Sequence, residues 1–247
     1  MNLERVRELF RKDFAELRSN RSVYFSLFVF PVLFLLEGLL SATSRSFSGS
    51  TSASVLVASY ISGTSLSLDL LLFVPVVTAV TIGSNSIVQE KTTRTLEPLL
   101  ATPITDTELL VGKAMTPLIP GLVAVWVSYT VLFGVIDLLA WPVAHVIVFP
   151  TAVSLYQMWV IAPLLGLVGT FGVLTISSWA KDARAAQQLS TVIVLPSIAV
   201  ILIVFLVLPT DWEVLGLFTL GLVLAVYGLL RLAIRRFDRP SILVNWR

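Results

Sequence analysis

The sequence of 247 residues contains no cysteine and a single histidine, His145. Without cysteine the chain has neither a disulfide nor a thiol nucleophile, and one histidine offers no cluster of metal ligands. Charged residues are also scarce, at 13% of the chain against roughly 25% in soluble domains. Because a soluble globule of this size needs a more charged surface, the composition excludes an ordinary water-soluble fold.

Several sequence motifs are missing as well. Charged, amphipathic residues come first, so the start does not resemble a signal peptide, whose apolar run of about 7–15 residues follows a short basic stretch. We therefore expect the first membrane span to direct insertion. The nearest approach to a nucleotide-binding loop, Gly112-Lys113, is followed by Ala114 and has Thr107 where that loop needs glycine. Gly83–Ser86 does not resemble a serine-nucleophile turn. The sequence predicts no ATP hydrolysis by this chain alone.

Long apolar segments dominate what is present. Hydrophobic residues make up 56% of the chain, and a membrane-spanning helix needs about 20 consecutive, mostly apolar residues. This rule predicts six spans, at Tyr24–Ala42, Leu66–Val88, Thr116–Leu138, Ala152–Ser178, Leu189–Pro209 and Val214–Ile234. The second could start earlier, because Val55–Leu68 is only weakly polar. Leu139–Pro150 contains Trp141 and two prolines, and we expect it to lie in the outer interface as a connection.

The basic residues are distributed very unevenly over this topology. With six spans, all but one of the 17 lysines and arginines fall on the side that holds both chain ends, and the exception is Arg45. The positive-inside rule makes that side cytoplasmic. We therefore expect a multi-pass protein of the cell membrane with both ends in the cytoplasm. Because the side on which the basic residues lie is what matters in a membrane protein, the sequence pI near 9.1 does not indicate affinity for nucleic acid, and we expect no nucleic-acid partner.

The N-terminal region, residues 1–22, has the pattern of an amphipathic helix. Apolar residues recur at helical spacing and form a narrow stripe with Leu9 beside it: Leu3, Val6, Phe10, Phe14 and Leu17. Basic residues lie off that stripe, which is typical of a helix on the inner membrane surface, next to anionic lipid. A helix that packs on a protein partner is the alternative. Residues 23–234 then form the membrane domain, and residues 235–247 a cytoplasmic tail.

The most informative segment is the cytoplasmic loop at residues 89–113, between the second and third spans. Thr105 and Glu108 have the spacing of a capping box, which predicts a helix that continues into the third span. Pro103 ends any helix that precedes it. Thr92–Leu100 is then left as a short amphipathic helix parallel to the membrane, and its leucines need a covering surface.

This loop resembles the signature loop of type-2 ABC exporter permeases, a class that includes sodium and multidrug exporter subunits. The similarity lies in Glu90–Pro103 and Glu108–Lys113, with a weaker match at Asp182–Gln188. Such permeases also have six spans and a surface helix before the first. The resemblance implies an all-α membrane fold, a second permease copy, and a separate ATPase subunit that holds ATP and Mg²⁺, so we expect no cofactor in this chain.

In that family the short loop helix is a coupling helix that docks on the ATPase. Carried over, the docking candidates are Glu90, Thr95, Leu96, Glu97, Leu99, Leu100, Thr102 and Pro103. Alternatively, these residues only cap and pack a structural loop. The chain departs from several relatives between the fifth and sixth spans, where only Thr210–Glu213 are available for re-entrant helices. ATP-independent transport and a non-transporting assembly role are the competing functions.

Two acidic residues fall inside predicted spans, Glu37 and Asp69, and Asp137 falls at a boundary. Buried acids in membranes are costly, which makes them candidates for function. In the family that the loop resembles, the first, second and fifth spans line the translocation path, and this resemblance implies that Glu37, Asp69 and Pro196 lie near it, where the two acids would line an exit path or attract a cation. Alternatively, the acids are hydrated near the outer interface or pair with Arg45. Gly166, Gly169 and Gly172 allow close helix packing, either within the chain or between two copies.

Overall fold

A computed structural model describes residues 3–17, 21–46, 53–92, 106–145, 147–177, 183–208 and 211–236. Within those ranges every regular element is helical, which confirms the predicted fold class. The α-helices are α1 (Leu3–Leu17), α2 (Arg21–Ser46), α3 (Ala53–Leu71), α4 (Val74–Thr92), α5 (Asp106–Ala144), α6 (Ala152–Tyr156), α7 (Ala162–Ser177), α8 (Ala183–Leu202) and α9 (Trp212–Arg236). A π-helical turn, Gln157–Ile161, joins α6 to α7, and a second, Ile203–Val207, follows α8.

Six helical segments in the described part of the chain are long and apolar enough to cross a membrane, as predicted. They are α2, the pair α3 and α4, α5, the run from α6 to α7, α8 with its π-helical turn, and α9. Large apolar side chains project outward from them, for example Leu40, Leu138 and Leu217, which are 69%, 75% and 73% exposed. Hydrocarbon is the environment in which such an exposed surface is stable.

The second span begins earlier than the predicted Leu66, because α3 already starts at Ala53. The serines and threonines of this region do not break the helix, since their hydroxyls bond back to their own backbone. Ser62 Oγ donates to the Ser59 carbonyl at 3.2 Å, and Thr64 Oγ1 donates to the Tyr60 carbonyl at 2.7 Å. A weakly polar sequence is therefore compatible with a continuous helix.

The connection after α5, predicted to lie on the outer side, is shorter than expected and packs against the bundle. Helix α5 continues to Ala144, so the first half of Leu139–Pro150 is helical. Asp137 Oδ1 accepts the backbone N–H groups of Val148 and Phe149 at 2.8 and 2.9 Å. Val148 and Phe149 are buried, and the Phe149 ring stacks on that of Phe133 with centroids 5.4 Å apart. Asp137 thus folds the connection back onto the bundle.

Helices α4 and α7 form the centre of the bundle, and the second and fourth spans are its most buried segments. The glycines of α7 make this possible. A Cβ built at Gly169 would lie 3.2 Å from the Val76 Cα, and one at Gly172 would lie 2.6 Å from the Ile193 Cδ1. The structure therefore assigns the glycine stripe to packing within the chain, a choice that the sequence left open.

Candidate functional site

The structure shows the two ends of the predicted coupling loop. Helix α4 ends at Thr92 with Glu90 in its last turn, and α5 begins at Asp106. Helix α5 runs without interruption to Ala144, which confirms that the helix after the loop becomes the third span. The other docking candidates and the capping residue lie outside the described residues: Thr95, Leu96, Glu97, Leu99, Leu100, Thr102, Pro103 and Thr105.

Helix α1 packs against the start of α5, directly after this loop. Leu9 is 5% exposed and belongs to an apolar cluster that includes Leu109, Leu110 and Leu174. The contact is close, because a Cβ built at Gly112 would lie 2.6 Å from the Leu9 Cδ2. The face of α1 that carries Leu9 therefore meets the chain itself, whereas Phe14, on the predicted stripe, is 48% exposed.

A buried polar contact fixes the same interface. Asp13 Oδ2 lies 3.8 Å from Lys113 Nζ, with side chains only 6% and 2% exposed, and Thr116 Oγ1 donates to the same oxygen at 3.5 Å. Removing one partner of a buried pair leaves an uncompensated charge. The pair therefore ties α1 to the helix that leaves the loop. The sequence contained a signal for this interface, because Leu9 and Asp13 are four positions apart and therefore lie on one face of α1.

A second polar cluster lies inside the membrane bundle, where the second span is broken. The N–H of Leu72 donates to the Asp69 carbonyl at 3.2 Å and that of Phe73 to the Leu70 carbonyl at 3.0 Å, in a tight turn between α3 and α4. In a regular α-helix the N–H of Leu72 would donate to the Leu68 carbonyl, and the turn leaves that carbonyl without this donor. Tyr129 Oη donates to that carbonyl instead, at 2.7 Å. Pro75, which has no N–H, follows the break closely.

The fourth span has a comparable irregularity. In its π-helical turn the N–H of Ala162 donates to the Gln157 carbonyl, five residues back, so the Met158 carbonyl loses its usual α-helical donor. Trp126 Nε1 donates to the Met158 carbonyl at 3.0 Å. The hydrogen bond of Trp126 follows from a backbone irregularity that sequence periodicity does not reveal.

Asp69 joins the two irregular sites. Gln157 Nε2 donates to Asp69 Oδ1 at 2.8 Å, and the two residues are 3% and 7% exposed. Glu37 accepts a hydrogen bond from Ser67 Oγ, which lies on α3 two positions before Asp69. The structure thus buries Asp69 against an uncharged partner, whereas hydration near the outer interface was one of the sequence-based expectations.

Pro196 lies elsewhere, on an apolar groove of about 430 Å³ between α7, α8 and α9. Val200, Val204, Leu217 and Leu222 also line this groove, whereas Glu37 and Asp69 do not. Within one copy of the chain, the three residues predicted for the path are therefore not brought together. Among the described residues there is also no group of three or more acidic, histidine or cysteine side chains that could hold a metal ion.

Six apolar spans, with α1 packed against the ends of α5 and α7, define a multi-pass α-helical membrane protein. Residues 7–234 match the family described as ABC-2 family transporter protein. Since the match extends over most of the chain, the protein belongs to the ABC-2 transporter family and is a membrane permease of an ABC transporter. No curated protein matches the sequence.

Proposed function

We propose that this chain is the permease subunit of an ATP-driven exporter and that residues 89–113 receive the movement of a separate ATPase subunit. In this proposal ATP and Mg²⁺ bind to the partner subunit, and the chain itself holds no cofactor. The observation that carries the proposal is the family match over residues 7–234. The position of the loop supports it, because the loop connects α4 and α5, two helices of the membrane bundle.

Helix α5 is suited to carry a movement from the loop across the membrane. It has 39 residues, and at 1.5 Å per residue it is about 58 Å long. That length exceeds the roughly 40–45 Å thickness of a bilayer with its headgroups. A displacement at Asp106 would therefore reach the outer connection near Ala144 through one helix.

The assembly that we propose contains two permease copies, identical or homologous, and two ATPase subunits, embedded in lipid of the cell membrane. The ATPase subunits dock on the side that holds both chain ends, which the positive-inside rule makes cytoplasmic. Glu37, Asp69 and Pro196 are the proposed contributors to the path. Since no single copy brings them together, the path would require the second copy.

The docking role of the loop is tested by two charge changes, Leu96→Asp and Glu97→Lys. Each should abolish copurification of the cognate ATPase subunit and reduce ATP hydrolysis to the rate of that subunit alone, because the contact depends on apolar and acidic side chains. Glu213→Lys is the matched control, since Glu213 is exposed at the start of α9 on the predicted outer side. Unchanged binding and hydrolysis in both loop variants would refute the proposal, and flux without ATP would indicate a secondary transporter.

A further inference from the structure

The breaks in the second and fourth spans meet inside the bundle. Asp69 lies just before the turn between α3 and α4, and Gln157 is the first residue of the π-helical turn. Their side chains form a direct hydrogen bond of 2.8 Å. The two most buried spans of the chain are therefore interrupted at the same place and joined there by side chains.

Helix α5 supports both breaks from one face. Trp126 and Tyr129 are three positions apart on α5, so their side chains point the same way. Trp126 donates to the Met158 carbonyl in the fourth span, and Tyr129 donates to the Leu68 carbonyl in the second span. Each of these carbonyls lacks its usual helical donor. The continuous helix α5 thus donates hydrogen bonds to the second and fourth spans at the places where their helices are interrupted. Interhelical hydrogen bonds of this kind are individually modest in membranes, so they can break and form again.

We infer that these breaks form a single hinge, in which the inner halves α4 and α7 move as one body relative to α5 and to the outer halves α3 and α6. This inference depends on the proposed function. Two observations favour it. The inner halves are closely packed, with Gly169 next to the backbone of Val76. Helix α4 also ends in the loop on which the ATPase subunit would act.

Disulfide crosslinking tests the hinge, and the absence of cysteine from the chain removes any background from the permease itself. The blocking pair is Thr78→Cys with Gly121→Cys, which joins α4 to α5. A Cβ built at Gly121 lies 3.5 Å from the Thr78 Cβ, at the lower end of the disulfide range of about 3.5–4.5 Å. The matched control is Gly83→Cys with Val173→Cys, which joins α4 to α7 inside the moving body, with 3.6 Å between the corresponding Cβ positions.

The readout is ATP hydrolysis by the complete permease–ATPase complex in phospholipid vesicles, before and after oxidation. The oxidised Thr78/Gly121 pair should lose the permease-dependent part of hydrolysis at least tenfold and regain it on reduction. The oxidised control pair should stay within twofold of its reduced form. Full activity of the oxidised blocking pair, or equal loss in both pairs, would overturn the hinge. If the cysteine-free chain itself shows no permease-dependent hydrolysis, the proposed function fails, and the hinge fails with it.

A spectroscopic measurement keeps the inference testable if Gly121→Cys prevents assembly. Spin labels at Ser62→Cys on α3 and Thr81→Cys on α4 report across the break. Labels at Ser44→Cys on α2 and Ser62→Cys on α3 report the outer distance, between two helices that are not part of the moving body. The distance across the break should change by several ångströms between the nucleotide-free and vanadate-trapped complexes, and the outer distance should not. An unchanged distance across the break would contradict the hinge.

Discussion

At the residue scale, Asp69 shows how a costly side chain is accommodated in a membrane span. An acid in this environment needs partners, and the structure supplies Gln157, which lies 88 positions away in sequence. Helical periodicity relates residues within one turn or two, so it gave no indication of this pair. The sequence identified the acid as unusual, and the packing of the second span against the fourth identified its donor.

Replacing Gln157 by leucine should destabilise the protein, because Asp69 would stay buried without its donor. The expected loss is about 1–3 kcal/mol, as for a buried polar group that has lost its partner, with the lower end favoured by measurements on membrane helices. The effect of Gln157→Leu is measured by thermal unfolding in detergent, with the loss of monodisperse protein as the readout.

The matched variant is the double substitution Asp69→Leu with Gln157→Leu. Replacing both partners by apolar residues can be nearly neutral, so the double variant should unfold at a higher temperature than Gln157→Leu. If instead the double variant is less stable than the single one, the hydrogen bond is not the source of the loss.

At the element scale, α1 was predicted correctly as a helix but only partly in its contacts. The sequence pattern emphasised the stripe that includes Phe10 and Phe14, and Leu9 was placed beside it. In the structure Leu9 and Asp13 face α5, while Phe14 remains exposed. The helix therefore packs on its own chain and still presents Phe14 to the surroundings. The predicted position on the inner membrane surface stays a prediction.

The glycines of the helices provide an element-scale prediction. A leucine at Gly169 would be forced against the backbone of Val76, whose Cα and carbonyl oxygen lie 3.2 and 3.3 Å from the built Cβ. Overpacking of this kind costs about 1–3 kcal/mol and should separate α4 from α7. Gly169→Leu should therefore lower the unfolding temperature in detergent.

Gly216→Leu on α9 is the matched control, because a Cβ there meets nothing within 4 Å. Leucine also has a higher helix propensity than glycine, so this variant should be at least as stable as the original chain. Equal destabilisation by both substitutions would show that helix α7 does not pack on α4 as described.

At the scale of the whole molecule, the orientation in the membrane is still a prediction from charge. Single cysteines at exposed positions should distinguish the two sides, namely His145→Cys and Glu213→Cys on the predicted outer face and Arg11→Cys on the inner face. A membrane-impermeant maleimide should label the first two in intact cells and Arg11→Cys only after permeabilisation. Labelling of Arg11→Cys in intact cells, with protection of the other two, would reverse the topology.

The amino-acid sequence alone determined the number of spans, the helical class, the helix that continues from the loop into the third span, and the resemblance in residues 89–113. The spans and helices depend on hydropathy and on local spacing, which can be counted along one chain, and the resemblance depends on the residues of the loop themselves. The tertiary structure decided which residues meet, including Asp69 with Gln157, Asp13 with Lys113, and the glycines of α7 with α4 and α8. It also located the breaks in the second and fourth spans, because a diverted backbone hydrogen bond is stable only where another helix supplies a donor for the carbonyl that is left without one.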